Sequence, residues 1–350
     1  MTIRVVPVGG EAAAAHWLGL LRRVYPDWRF RGGQPRAEAA LLSGRHPLLD
    51  GLDFQPLLAV DRHGVAVGRC AVSFREGSPV ARLGFLECLH LAAAPALFAA
   101  AETAAAQRGC ATVRGPFDPD YWVGYRLKLD HFEAPPFFGE PYNRPEYPEL
   151  WEAAGYEVAE RYQSSVLARP QVPADGAWGP AKLRAHAEAA GVELRPLGRR
   201  FTDALQPIHS LVMDRFAVMP EFHRLEFDQF AALMGPLGSV LDRRASQLAW
   251  SGDRLVGFSA VMPDFGRRLD SGSARALAAA LIRLPRPGAL VASYMAVDSA
   301  YRGLGPALML PALSLAAARR VAAIGALIHE GAPTAAYLPD QITRVHHYAL

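Results

Sequence analysis

The sequence predicts an α/β (α+β) protein of two tandem domains, each a mixed central sheet flanked by helices. Three observations carry that expectation. The chain has 350 residues, long for one hydrophobic core and comfortable for two. Its segments run strand, helix, strand hairpin, strand, helix, strand, helix, strand, and a similar order returns in the second half. Between the two runs lies RPQVPADGAWGP, residues 169–180, dense in Pro and Gly. The expected domains are therefore 1–168 and 181–350, with 169–180 as the linker.

The first half opens with β-branched residues at 3–8, a strand signal, followed by helical spacing over 11–25 that stops at Pro26. Residues 31–54 read as loop with a short helix. Strands at 55–60 and 65–75 flank Asp61-Arg62-His63-Gly64, a hairpin turn. A strand at 83–89 and a helix at 94–108 follow, with Gly109 placed as its C-cap. After a strand at 112–114, residues 115–147 interleave six prolines with aromatics and read as an ordered, packed excursion. A short helix at 147–154 and a strand at 156–167 end this half. In the second half, helices are expected at 182–190, 201–219, 224–234, 273–284 and 306–320. Strands are expected at 192–197, 247–250, 255–262, 290–297, 322–329 and 343–350.

Composition narrows the function classes. Just over half of the residues are apolar (51%) and 20% are charged, the profile of a compact chain. The formal charge of +3 is too near balance to argue for nucleic acid or membrane. The only lysines are Lys128 and Lys182, so no lysine-rich nucleic-acid arm exists. Cys70, Cys88 and Cys110 are odd in number and lack metal spacing. They read as reduced thiols, which together with an N-terminus lacking a signal-type apolar run predicts a cytoplasmic protein with no metal.

The segment that carries chemistry is LVASYMAVDSAYRGLGPALML, residues 290–310. An apolar strand enters a turn, a glycine-rich loop follows, and a helix leaves. Gly303 and Gly305 lack Cβ, so the backbone can curl and approach a ligand. Free N–H groups of the first helical turn, the helix dipole and Arg302 would then face an anion. A nucleotide-triphosphate loop is excluded because no Gly-Lys-Ser/Thr ending is present, and a dinucleotide fingerprint because the third glycine is missing.

Val297-Asp298-Ser299-Ala300-Tyr301-Arg302-Gly303-Leu304-Gly305-Pro306-Ala307 resembles the acyl-CoA motif of the GNAT superfamily of acyltransferases. Val113-Arg114-Gly115-Pro116-Phe117, Pro135-Pro136, Pro141-Tyr142-Asn143 and Gly155-Tyr156 are similar to a group of bacterial two-domain GNAT-like proteins. The resemblance implies two tandem GNAT-like domains, each with a splayed mixed sheet. It implies that the backbone of Met295, Ala296 and Val297 pairs with a pantetheine arm. Amides of Gly303, Leu304, Gly305 and Ala307, with Arg302, would face the pyrophosphate. The donor would be acetyl-CoA, another acyl-CoA or an acyl-phosphopantetheine on an acyl carrier protein, and the acceptor a small-molecule amine. Pro306 has no N–H and so removes one donor from that grip. The first half lacks the motif: Leu91-Ala92-Ala93-Ala94-Pro95 stands in its place, so no ordinary CoA site is expected there.

Direct attack by an amine on a thioester needs a base and an acid for the thiolate, and no covalent enzyme intermediate. The candidates are Tyr294, Glu330 and Tyr337, with Ser293 and His329 beside them. His209, Asp214, Glu221, His223 and Glu226 read as a solvated helix face over the acceptor site. Cys88 has no histidine fixed beside it by spacing and does not read as a nucleophile. The alternative function is a degenerate GNAT pair that binds a ligand or partner without turnover.

Overall fold

The computed structural model describes residues 2–25, 35–198, 201–264 and 287–350. The helix expected at 273–284 lies outside the described residues. Contacts divide the chain into two compact units. Unit 1 is Met1–Pro136, Pro141–Arg161 and Tyr348–Leu350; unit 2 is Phe137–Glu140 and Tyr162–His347. Residues 169–180 fall inside unit 2.

Unit 1 is built on β1 (Arg4–Pro7), β2 (Leu52–Val60), β3 (Ala66–Arg75), β4 (Val80–Cys88) and β5 (Thr112–Arg114), adjacent in that order. Only β4 and β5 run parallel, paired at Val80–Thr112, Ala81–Val113 and Arg82–Arg114. Helices α1 (Gly10–Val24) and α2 (Pro35–Leu42) cover one face around Trp17, Leu41 and Leu58. Helix α3 (Ala94–Gln107) and the short α4 (Tyr147–Ala153) pack on a second cluster with Leu83, Leu97, Phe98 and Trp151. Alternation along β3 places Cys70, Val72 and Phe74 in that cluster and Ala71 in the other. The strand β6 (Leu127–Lys128) pairs with Tyr348 and Ala349. The strand expected from residue 156 begins only at Arg161, because Ala159 and Glu160 donate their N–H groups to Leu350 O instead.

Beyond Arg82, β4 and β5 separate, and the chain itself fills the gap. Phe117 N–H donates to Leu83 O at 2.9 Å. The Asp118 carboxylate accepts the Phe85 N–H. Phe85 lies at φ 53°, in the irregularity where Arg69 and Ala71 oppose Glu87 and Gly84. Gly84 is required by this closure: a Cβ there would lie 1.5 Å from Phe117 O. Beside it, Arg69 sits 2.7 Å from Glu38, with its guanidinium 4.8 Å from the Trp17 ring centre. The Tyr147 hydroxyl donates to Glu87 and accepts the Cys88 N–H, each at 2.8 Å. Burial pushes the Glu87 carboxyl up to about 8 despite Arg69 and its tyrosine donors. Burial likewise pushes Asp118 up to about 6.

Unit 2 carries β7 (Arg161–Leu167, counted from Tyr162), β8 (Glu193–Pro196), β9 (Gln247–Ser251), β10 (Arg254–Asp264), β11 (Ala289–Val297), β12 (Ala322–His329) and β13 (Arg344–Ala349, counted to His347). They are adjacent in the order β13-β7-β12-β11-β10-β9-β8. Among the described residues its helices are α5 (Pro180–Ala189), α6 (Phe201–Arg215), α7 (Phe227–Met234) and α8 (Gly305–Arg319). Leu304 and Leu308 at the start of α8 pack on Ala249 and Val256 of the sheet and Ala187 of α5. Farther along, Ala312 and Ala316 pack on Val261 and Leu290. The small residues let helix and sheet approach closely.

Two outcomes are expected for unit 1. Gly84→Ala forces the 117–118 backbone to move, an overpacking that costs about 1–3 kcal/mol in a urea titration; a variant as stable as the parent contradicts the closure. Glu87 and Asp118 hold protons in the folded state to higher pH than in the unfolded chain. Stability therefore falls as pH rises from about 4 towards about 8. Glu87→Gln should flatten the upper part of that slope in thermal melts. An unchanged slope would show that Glu87 does not titrate there.

Candidate functional site

The site is built where β11 leaves its parallel neighbour. Parallel pairing runs only from Ala289–Ala322 to Ala292–Gly325. Among the described residues, Tyr294 to Val297 of β11 continue the ladder with β10. The register of that antiparallel pair steps between Ala260 and Val261, so Ser293 is the extra residue of a bulge. On the other side, β12 shifts register against β7 between Gly325 and Ile328, with Leu327 at φ 54° and its N–H on Ser164 Oγ at 2.8 Å. The splay leaves backbone groups of Tyr294 to Val297 beyond the parallel ladder. In this interval an extended chain bearing amides could pair.

The turn after β11 is locked. Asp298 accepts the Ala300 N–H at 2.9 Å and pairs with Arg254, while its own N–H donates to Val256 O at 2.8 Å. The 3₁₀ turn Ser299–Tyr301 then delivers Arg302, exposed, and Gly303, at φ 93°. Leu304 is buried and anchors the loop. Gly305 begins α8 and Pro306 is its second residue, where a fixed φ suits the helix and no intrahelical donor is lost.

Two side chains close on the glycines. A Cβ on Gly303 would lie 2.9 Å from His186 Nε2, and one on Gly305 would lie 2.1 Å from the Tyr337 hydroxyl and 3.5 Å from Met295 Cε. Tyr337 stands between the 3₁₀ turns Pro333–Ala336 and Pro339–Gln341. Its ring meets Trp178 edge-on, with centres 5.2 Å apart. Reciprocal bonds between Gln341 and Gln171, at 2.8 and 3.0 Å, pin the second turn to the 169–180 stretch. Gln163 Nε2 donates to Ala335 O at 3.1 Å and pins the first. Burial raises the Tyr337 phenol above its ordinary 10.0, so it is a protonated donor at neutral pH.

Of the candidates, Tyr337 thus comes to the glycine loop. Tyr294 projects from the splayed half of β11, 40% exposed. Glu330 is exposed just past the end of β12. His329 is half-buried: its ring packs edge-on to Tyr162 at 5.3 Å and Nδ1 accepts the Gly331 N–H. The solvated reading needs correction at His209 and holds at Glu226, which is exposed. His209 is not solvated; it lies against Phe227 and Phe230, with Nε2 on Leu225 O at 2.8 Å. Glu226 is the N-cap of α7, in a reciprocal capping box with Gln229. The Cys88 thiol is buried and pushed up to about 12, which keeps it inert as a nucleophile. Sequence reasoning missed His186 and Trp178. Their contacts depend on long-range folding, although an aromatic inside a Pro/Gly-rich stretch was a usable sign of packing.

Among the described residues, no group of three or more His, Cys, Asp or Glu side chains is placed to hold a metal. No described helix is long and apolar enough to cross a membrane.

No family model matches the sequence, and no curated protein matches it either. Solved structures do match. A tandem GNAT protein from the clavulanic acid biosynthesis pathway aligns over 100% of this chain and 98% of its own, with a TM-score of 0.54 at 14% identity. A GCN5-related N-acetyltransferase from Sphaerobacter thermophilus aligns over 99% and 94%, with a TM-score of 0.50 at 14% identity. A conserved protein of unknown function from Enterococcus faecalis aligns over 100% and 72%, with a TM-score of 0.52 at 10% identity. At such identities the likeness concerns the fold. The chain has a tandem GNAT-like fold, with two mixed sheets flanked by helices.

Proposed function

We propose that the protein is an N-acyltransferase that moves an acetyl or longer acyl group from CoA to an amine of a small molecule in the cytoplasm. The observation that carries this reading is the splay of β11 from β12, ending in a glycine loop that opens a helix. What supports an acyl-CoA here is the helix start with its free N–H groups, on a loop whose glycines let His186 and Tyr337 approach closely. Met295, Ala296 and Val297 would pair with the pantetheine amides. Arg302 and the N–H groups of Gly303, Leu304, Gly305 and Ala307 would hold the diphosphate, while Pro306 only shapes the helix start.

When bound, acyl-CoA supplies an activated thioester carbonyl. The chain's part is to orient it on the splayed edge and to manage two protons. The attacking amine gives up a proton, for which Tyr294 or Glu330, through water, is the proposed acceptor. The departing thiolate takes one, for which the proton released by the amine, passed on through that acceptor and water, is the proposed source. Tyr337 is the protonated phenol of the site, but it lies at the loop glycine, the diphosphate end, rather than beside the bulge. A second reading is a pair that binds without turnover, favoured by Pro306 and by the packing of Tyr337 on Gly305.

The discriminating assay follows free thiol from acetyl-CoA and longer acyl-CoAs across a panel of amines. Amine-dependent release is expected, reduced roughly tenfold or more in Gly305→Ala and Arg302→Ala, the loss of about one charge-assisted contact. Release that is independent of amine, and equal in Gly305→Ala, supports the non-catalytic reading.

A further inference from the structure

The parallel ladder of β11 and β12 ends at Ala292–Gly325, and the root of the splay is closed on both faces. Alternation along β11 sends Leu290 and Ala292 to one face and Ala289 and Val291 to the other. On the first face α8 closes the root, with Ala312 and Ala316 against Leu290. On the second face a phenyl ring from far along the chain does so. Phe137 packs against Val291, Ile324 and Ala326, with Leu327 beside them. Ala326 and Leu327 lie past the last parallel pair, so this cluster reaches into the opened interval.

Phe137 is 6% exposed, and polar groups that are costly to bury hold it there. Its N–H donates to Glu140 Oε2 at 3.2 Å, and its carbonyl accepts the Glu140 N–H at 3.0 Å. The other oxygen of the Glu140 carboxyl meets His346 Nδ1 at 2.8 Å, with both side chains buried. The next N–H, that of Phe138, donates to Asp264 at 3.2 Å, at the end of β10. All of these residues belong to unit 2. Filling a core needs no such tethers, since an apolar side chain of about the right volume fills space. Fixing one ring at one depth does.

We infer that Phe137 sets the length of the acyl group, admitting a short one such as acetyl and turning away a chain of hexanoyl length. The inference rests on the acyl-donor reading of the glycine loop. With the diphosphate at that loop and the pantetheine along Val297 to Met295, the thioester comes to Tyr294 and the bulge at Ser293. The acyl group then points on towards the root, where α8 stands on one face and Phe137 on the other. Interiors are close-packed, so extra methylenes there must displace side chains.

The test is calorimetric titration of acetyl-CoA and hexanoyl-CoA into the full chain and into Phe137→Leu and Phe137→Ala. Thermal melts show whether each variant is folded. Phe137→Leu keeps most of the packing and carries the test if Phe137→Ala does not fold. The wild type should bind acetyl-CoA roughly tenfold or more tighter than hexanoyl-CoA, the discrimination that methylenes against a packed wall provide. Both variants should raise hexanoyl-CoA binding relative to acetyl-CoA by roughly tenfold. A ring that only fills the core would, when shortened, weaken both alike. Equal binding of the two by the wild type, or a ratio unchanged in the folded variants, overturns the inference and leaves the acyl-donor reading standing. If the wild type binds neither compound, the acyl-donor reading fails and the inference with it.

Discussion

A parallel strand pair that stops early must do something with its unpaired backbone, and both units of this chain are organised by that constraint. In unit 1, β4 and β5 pair over three residues and part at Arg82. In unit 2, β11 and β12 pair over four and part after Ala292. Buried N–H and C=O groups left without partners are costly. Each opened interval therefore calls for other partners, and in unit 1 the chain's own 117–118 segment supplies them. The bulges near Phe85 and at Ser293 help to turn the strands away from their neighbours.

The two units resolve the constraint differently. Unit 1 folds its own 117–118 segment into the gap, with Phe117 N–H on Leu83 O and Asp118 on the Phe85 N–H. Gly84 exists for that close approach. The carboxyls of Glu38, Glu87 and Asp118 then crowd around Arg69, and burial shifts two of them towards the neutral form. Unit 2 instead spends its glycines on a loop that faces a helix start, and gathers Arg302, His186 and Tyr337 there. Unit 1 thus closes the interval with its own backbone, and unit 2 places a glycine loop and a helix start at the end of its own.

Much of this was legible in the sequence. Hydrophobic periodicity located the main helices and hairpins, and the order of elements predicted two sheets of one kind. The glycine loop could be read because Arg302, Gly303 and Gly305 fall between an apolar strand and an apolar helix, where the physics of anion binding is local. What escaped was non-local. Nothing in residues 161–167 announces that β7 lies between β12 and β13. Nor does Phe137–Glu140 announce that it belongs to unit 2, where Glu140 meets His346 at 2.8 Å. The solvated reading of His209 failed because helical spacing does not reveal that α7 returns to cover it with Phe227 and Phe230. The place of Tyr337 at the glycine loop depends on turns pinned to residues 163 and 171, which spacing along the chain does not reveal.

The central claim is that unit 1 has closed its interval and unit 2 has kept one for an acyl donor. The stoichiometry of acetyl-CoA binding tests it most directly, measured by calorimetry on the whole chain and on a Gly305→Trp variant. The account predicts one acetyl-CoA per chain, lost entirely in the variant. Two per chain, or one that survives the substitution, would contradict it.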